Sequence, residues 1–185
     1  IIGAEKYAIP AKPVPQFLAA WQQILETVSR QPEKPLIIAI IGGGAGGVEL
    51  ALNMQSRLHT ILKEAGQTLE KISLHIFHRD RQLLPHHNPW VSRRLKEILL
   101  AKGIVLHLQE NVKKISNNLA AKDCHQIICD SGLEIAANNS IRVTQASAPS
   151  WLKASGLATD SQGFILIRNT LQTKSHSHIF AAGDI

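Results

Sequence analysis

Cysteine is scarce in this 185-residue chain: Cys124 and Cys129 are its whole supply, so no disulfide framework organises the fold. Their C-x-x-x-x-C spacing falls on what reads as two short strands around a turn, where residues five apart face opposite ways. Inert thiols are expected. Aromatic residues make up only 4%, with three Trp and one Tyr, and the basic residues are scattered, no run exceeding Arg93-Arg94 or Lys113-Lys114. The formal charge of +6 therefore does not mark a nucleic-acid surface, which needs clustered cations beside stacking rings. No apolar run approaches the ~20 residues of a membrane-spanning helix. The first residues lack the basic-then-apolar order of a signal peptide, so the expected location is cytoplasmic. Neither a Ser/His/Asp nor a Cys/His arrangement stands out, and no catalytic residue is assigned. His86-His87, adjacent in a Pro-rich turn, read as solvated, so no metal site is expected.

Glycine, by contrast, is concentrated where it carries chemistry. The stretch Leu36 to Ala51 joins six apolar residues to Gly42, Gly43, Gly44, Ala45, Gly46 and Gly47 and then to a helical pattern through Val48, Leu50, Ala51, Leu52 and Met54. Gly42, Gly44 and Gly47 satisfy G-x-G-x-x-G. In that spacing the first glycine makes the tight turn, the second admits a phosphate close to the backbone, and the third lets helix and strand approach. The helix N-terminus adds free N–H groups and partial positive charge, so the stretch reads as a dinucleotide pyrophosphate site.

The rest of the chain reads as an α/β fold. Phe17, Leu18, Trp21, Ile24, Leu25 and Val28 recur at helical spacing after Pro15, and Gln31 to Pro35 delivers the chain into the strand Leu36–Ile41. The helix after the glycines runs toward Gly66. Strands follow at Lys71–Phe77 and Ile104–Gln109, with a helix over Pro89–Lys102 between them, stopped by Gly103. This βαβαβ order predicts a Rossmann-like parallel sheet with flanking helices. Short strands at Val112–Ile115, His125–Cys129 and Leu133–Ala136 suggest an antiparallel excursion, Ile141–Thr144 a return to the sheet, and Gly163–Ile167 and Ile179–Ala182 two last strands. Ile1 to Ala4 read as the tail of an element that began earlier.

The simplest form of this fold ends its second strand in an Asp or Glu about 20 residues after the glycines, where it holds the adenosine ribose. Here His78 lies 31 positions after Gly47, and the strand ends in His78-Arg79-Asp80-Arg81. This cationic strand end makes His78 and Arg79 candidate cofactor-binding residues: Arg79 offers a planar fork to a 2′-phosphate and so allows NADPH, while Asp80, two positions late, keeps NADH open. Solvated charges at Arg79 and Arg81, or a capping role for His78, are the plainer readings.

Four passages together resemble the FAD-dependent pyridine nucleotide-disulfide oxidoreductases, especially the type II NADH dehydrogenase-like branch. They are Lys12-Pro13, Ile41 to Ala51, Leu83-Leu84-Pro85 and Ile179-Phe180-Ala181-Ala182-Gly183-Asp184. The wording Thr144-Gln145-Ala146-Ser147-Ala148-Pro149 is similar to the domain fused to selenophosphate synthetase (selenide, water dikinase) in some bacteria. The resemblance implies one NAD(P)H-binding domain fragment over 1–185, with a Rossmann-like core at 34–149 and flanks 1–33 and 150–185 leading to and from a missing FAD-binding domain of the same polypeptide. Under it Gly42, Gly43, Gly44, Ala45 and Gly46 lie against the pyrophosphate, Glu49 faces the nicotinamide carboxamide, and Asp184 contacts FAD. A competing role for Glu49 is a first-turn carboxylate favoured by the helix dipole. The implied activity is hydride transfer from NAD(P)H to FAD in the full-length protein, with the fragment alone inactive and binding FAD weakly or not at all. A non-catalytic nucleotide-sensing or docking module attached to selenophosphate synthetase is the alternative, and another Rossmann ligand such as S-adenosylmethionine is more remote.

Overall fold

The apolar run Leu36–Ile41 becomes the middle strand of a five-stranded parallel sheet. The computed structural model describes residues 1–85, 87–118, 123–143 and 148–183. In chain order these form α1 (Ala4–Tyr7), β1 (Ala8–Pro10), α2 (Val14–Arg30), β2 (Leu36–Ile41), α3 (Ala45–Glu64), a short 3-10 turn (Leu69–Lys71), β3 (Ile72–His78), α4 (Pro89–Ala101), β4 (Val105–Leu108), β5 (Val112–Asn117), β6 (His125–Cys129), β7 (Glu134–Ala137), β8 (Asn139–Arg142) and α5 (Ser150–Ala154). The helices begin where local chemistry allows. Pro15 lies in the first turn of α2, where its missing N–H costs nothing. Pro89 opens α4 behind Asn88, whose side-chain oxygen accepts from the Trp90 N–H at 2.9 Å.

Two compact units divide the chain, Ile1–Thr144 and Gln145–Ile185. In the first, the parallel sheet runs β1-β8-β2-β3-β4, and β5-β6-β7 form a separate antiparallel sheet. Alternation along β2 decides what covers each face. Ile38 and Ile40 join Leu74 and Ile76 in a core with Ile24 and Val28 of α2, Val48, Met54, Leu58 and Leu62 of α3, and Leu99 of α4. Ala39 and Ile41 join Phe77 on the other face, against Ile115 and Ile127 of the antiparallel sheet. Burying these interleaved branched side chains is worth roughly 1.5–3 kcal/mol each, which is why β2 needs no polar residue.

Ile41 pairs in register with Phe77 on one side and Arg142 on the other, so three strands end level. The sequence order reverses between β2 and β8, which makes the end of β2 a topological switch point.

The predicted strands at 36–41 and 125–129 are found as expected. Strand β8 starts two residues earlier than expected, because Asn138 prepares it: its side-chain oxygen accepts from the Ile37 N–H at 2.7 Å. Ile2 makes an isolated parallel bridge to Lys114, and Gly3, at φ 77, opens α1.

In the second unit the expected strands at Gly163–Ile167 and Ile179–Ala182 are not continuous. The described residues make isolated antiparallel bridges instead, Thr159 to Ile165, Ile167 to Thr173 and Gln172 to Phe180. Its buried apolar cluster is Leu152, Ile165 and Ala181, with Ala148 and Leu157 partly buried against it, too little apolar surface to hold a regular ladder.

Candidate dinucleotide site at the end of the central strand

The glycine turn emerges from the middle of the level strand ends. Gly42 takes φ 127, a conformation that side chains oppose, while its N–H donates to the Phe77 carbonyl at 2.9 Å, prolonging the β2–β3 ladder by one bond. Gly44 then caps α3, and its carbonyl accepts from the Val48 N–H at 3.1 Å. The N–H groups of Ala45, Gly46 and Gly47 fall in the first turn, where helix geometry supplies no intrahelical acceptor.

What a side chain would meet separates the glycines by role. A Cβ on Gly47 would sit 1.8 Å from the Gly42 carbonyl oxygen, so helix and turn close only over a bare α-carbon. A Cβ on Gly43 would meet Leu83 at 2.6 Å and His78 Cγ at 2.7 Å. Over Gly44 no described residue lies within 4 Å. Its backbone is extended, at φ -75 and ψ -177, so any residue could adopt that conformation, and the open space is what glycine preserves there. A bare cradle beside first-turn N–H groups that lack an intrahelical acceptor fits a pyrophosphate. The end of β8 forms its other wall, with Val143 Cγ1 3.4 Å from where a Gly46 side chain would begin.

Glu49 is exposed and is the fifth residue of α3, past the first turn, where the helix dipole has largely decayed. The competing reading of Glu49 as a first-turn carboxylate does not hold. His78 is turned inward: its Nδ1 accepts from the Gly43 N–H at 3.2 Å, and its side chain is 10% exposed. Arg79 points outward at 66% exposure, with its Nε 3.8 Å from Asp80 Oδ2. The same carboxylate oxygen lies 3.4 Å from His78 Nε2. Asp184, His86 and residues 144–147 lie outside the described residues.

Sequence reasoning missed the strap that braces this turn. Leu84, in the left-handed region at φ 50, donates its N–H to the Gly43 carbonyl at 3.1 Å. Buried Ser92 of α4 ties the preceding residue by donating to the Leu83 carbonyl at 2.6 Å. The Leu83-Leu84-Pro85 wording was the available signal.

The cysteines stand apart from this chemistry. Cys129 is buried in β6, and Cys124 is half-buried; both are free thiols. Burial, helped by the carboxylate of Glu110, pushes the Cys129 thiol up to about 12, far from the thiolate that redox exchange needs. Among the described residues no group of three or more His, Cys, Asp or Glu could hold a metal ion, and no helix is long and apolar enough to cross a membrane.

A parallel sheet with a glycine turn and helix N-terminus at its switch point defines a Rossmann-like α/β domain. Residues 8–185 match the family model described as pyridine nucleotide-disulphide oxidoreductase, and the chain belongs to that family. Membership supports an oxidoreductase-type domain and the use of a dinucleotide cofactor. Ferroptosis suppressor protein 1 of Homo sapiens is 32% identical over 167 residues, covering 88% of this chain and 42% of that protein. The Mus musculus protein of the same name is 31% identical over 170 residues with the same coverage, so the chain spans about two-fifths of these relatives. Among solved structures, NDH2 from Plasmodium falciparum in complex with NADH aligns over 100% of this chain and 40% of its own at a TM-score of 0.77 and 19% identity. A pyridine nucleotide-disulfide family oxidoreductase from Enterococcus faecalis aligns over 100% and 37% at 0.68 and 17%. At these identities the likeness concerns the fold.

Proposed function

We propose that this chain is the NAD(P)H-binding half of a flavin-dependent oxidoreductase, and that the full-length protein passes hydride from NAD(P)H to FAD held by sequence outside residues 1–185. The observation that carries the reading is the pairing, at the start of α3, of space over Gly44 that no described residue fills with a closed contact at Gly47. The N–H groups of Ala45, Gly46 and Gly47 bind its oxygens, and the α3 dipole adds positive potential. Arg79 meets the adenosine ribose end from the exposed side of β3, and Glu49 serves the nicotinamide end. The bound nicotinamide supplies the hydride; the chain supplies orientation. None of its described residues is assigned to FAD, and Asp184 remains the proposed flavin contact.

Titration of the chain with NADH and NADPH by calorimetry tests the binding. Saturable binding of either is expected, and binding of S-adenosylmethionine in their place would overturn it. Turnover of NAD(P)H by the full-length protein with a quinone, ferricyanide or a dye tests the transfer; binding without turnover would leave the sensing or docking module as the function. Attachment to a selenophosphate synthetase domain rests on the wording of residues 144–149. A kinase-like domain in the flanking sequence is the expected finding, and its absence there removes that part.

A further inference from the structure

The inner side of the glycine turn is held by one titratable ring. His78 Nδ1 accepts the Gly43 N–H, and the next Gly43 peptide gives its carbonyl to Leu84, so the peptide groups on both sides of Gly43 are tied down. A ring nitrogen that accepts a hydrogen bond carries no proton, so the neutral imidazole has its hydrogen on Nε2. That Nε2 is buried, with Asp80 Oδ2 3.4 Å away and the Gln82 backbone beside the ring. The Gly43 N–H thus faces the protein, leaving the N–H groups that follow it to face a ligand.

We propose that His78 is a positioning residue whose neutral imidazole sets the orientation of the glycine turn, so that dinucleotide binding requires His78 to be unprotonated. This rests on the reading of the turn as an NAD(P)H site. A proton on Nδ1 would replace the acceptor with a donor aimed at the Gly43 N–H, and the turn would have to move away from β3. The charged groups acting on the ring are Asp80 and Arg79, both on its own strand end. From the β4 side, His107 is turned to the opposite face against Phe77 and His75, and Glu110 gives its backbone N–H to the His78 carbonyl at 3.0 Å. The residues of β2 and the glycine turn include no titratable side chain. Burial holds the imidazole below the ordinary histidine range, against the pull of Asp80 and the Gln82 backbone toward the charged form, and Arg79 adds to the lowering. The device is therefore set above that lowered pKa and released as pH falls through it.

The test is calorimetric titration with NAD⁺ from about pH 8 to about pH 5, using the unaltered chain, His78→Asn and His78→Leu. Asparagine places an amide oxygen near the Nδ1 position, so it keeps the acceptor and removes the titration. The unaltered chain is expected to lose affinity progressively toward the acid end, while His78→Asn stays flat and within about threefold of it at high pH. His78→Leu is expected to bind weakly throughout. The same acid loss in the unaltered chain and His78→Asn would overturn this inference alone. Failure of the unaltered chain to bind NAD⁺ at any pH would overturn the dinucleotide reading and this inference with it. Imidazole nitrogen NMR without ligand gives a separate readout: an unprotonated Nδ1 at neutral pH is expected, and a protonated one overturns the assignment.

Discussion

The two ends of the candidate site stand side by side and are built by different physics. At the glycine turn the shape is fixed by the backbone, with Gly47 against the Gly42 carbonyl and Gly42 in a left-handed conformation, while Gly44 keeps space that the described residues leave clear. At the end of β3 the arrangement is a set of side chains sharing charge, with Asp80 between half-exposed surface and the buried His78 ring, and Arg79 largely in solvent. Steric closure makes effects large and close to all-or-none. Shared charge in water makes them graded, because screening and side-chain freedom cut each contact.

Breaking the turn gives the largest expected effect. Gly47→Ala must push α3 off the strand end, because the Cβ clashes with a backbone oxygen that has no rotamer to escape into. A loss on the order of 3 kcal/mol is expected, with nucleotide binding abolished. Thermal unfolding should show a Tm lower by roughly 6–12 °C for a chain of this size; an unchanged Tm would refute the closed contact. Gly44→Ala comes next and separates fold from function. Its backbone conformation suits alanine and no described residue lies within 4 Å, so Tm should hold within about 2 °C, while the methyl fills the cradle and weakens NADH by about tenfold or more. Retained affinity would show that the pyrophosphate lies elsewhere.

This contrast also explains what could be read from the sequence. Glycine spacing is a backbone signal, and β2 is buried on both faces, so the turn and its strand were legible residue by residue. His78 was legible as the end of a strand, but its inward rotation was not, since it depends on the room a bare Gly43 leaves and on the Leu84 strap returning to Gly43. Glu49 was misread as first-turn because the start of α3 is fixed by Gly44, not by a side-chain cap. In the second unit, apolar residues at 163–167 and 179–182 carry the composition of strands, yet the local core of Leu152, Ile165 and Ala181 supports only single bridges. Strand composition reports what a segment could pair with; pairing itself needs enough buried neighbours.

The smallest expected effect lies at Arg79, and it decides what the charged end does. Its guanidinium is 66% exposed and 3.8 Å from Asp80, so removing it leaves no buried partner orphaned and should not move Tm. A 2′-phosphate would bring a doubly accepting group within reach of that fork, whereas NADH brings only hydroxyls. Arg79→Ala should therefore weaken NADPH by about three- to tenfold and leave NADH within about twofold, read as the ratio of the two Kd values. Asp80→Asn should shift the same ratio the other way, since it removes a negative charge beside the phosphate and frees Arg79 from its neighbour. It also takes away the carboxylate that draws His78 toward its charged form, so any acid loss of binding should move to lower pH, not higher. Equal losses of NADH and NADPH in Arg79→Ala would mean that the fork reads the shared pyrophosphate or ribose, and the graded end would then be part of the general grip instead of a discriminator.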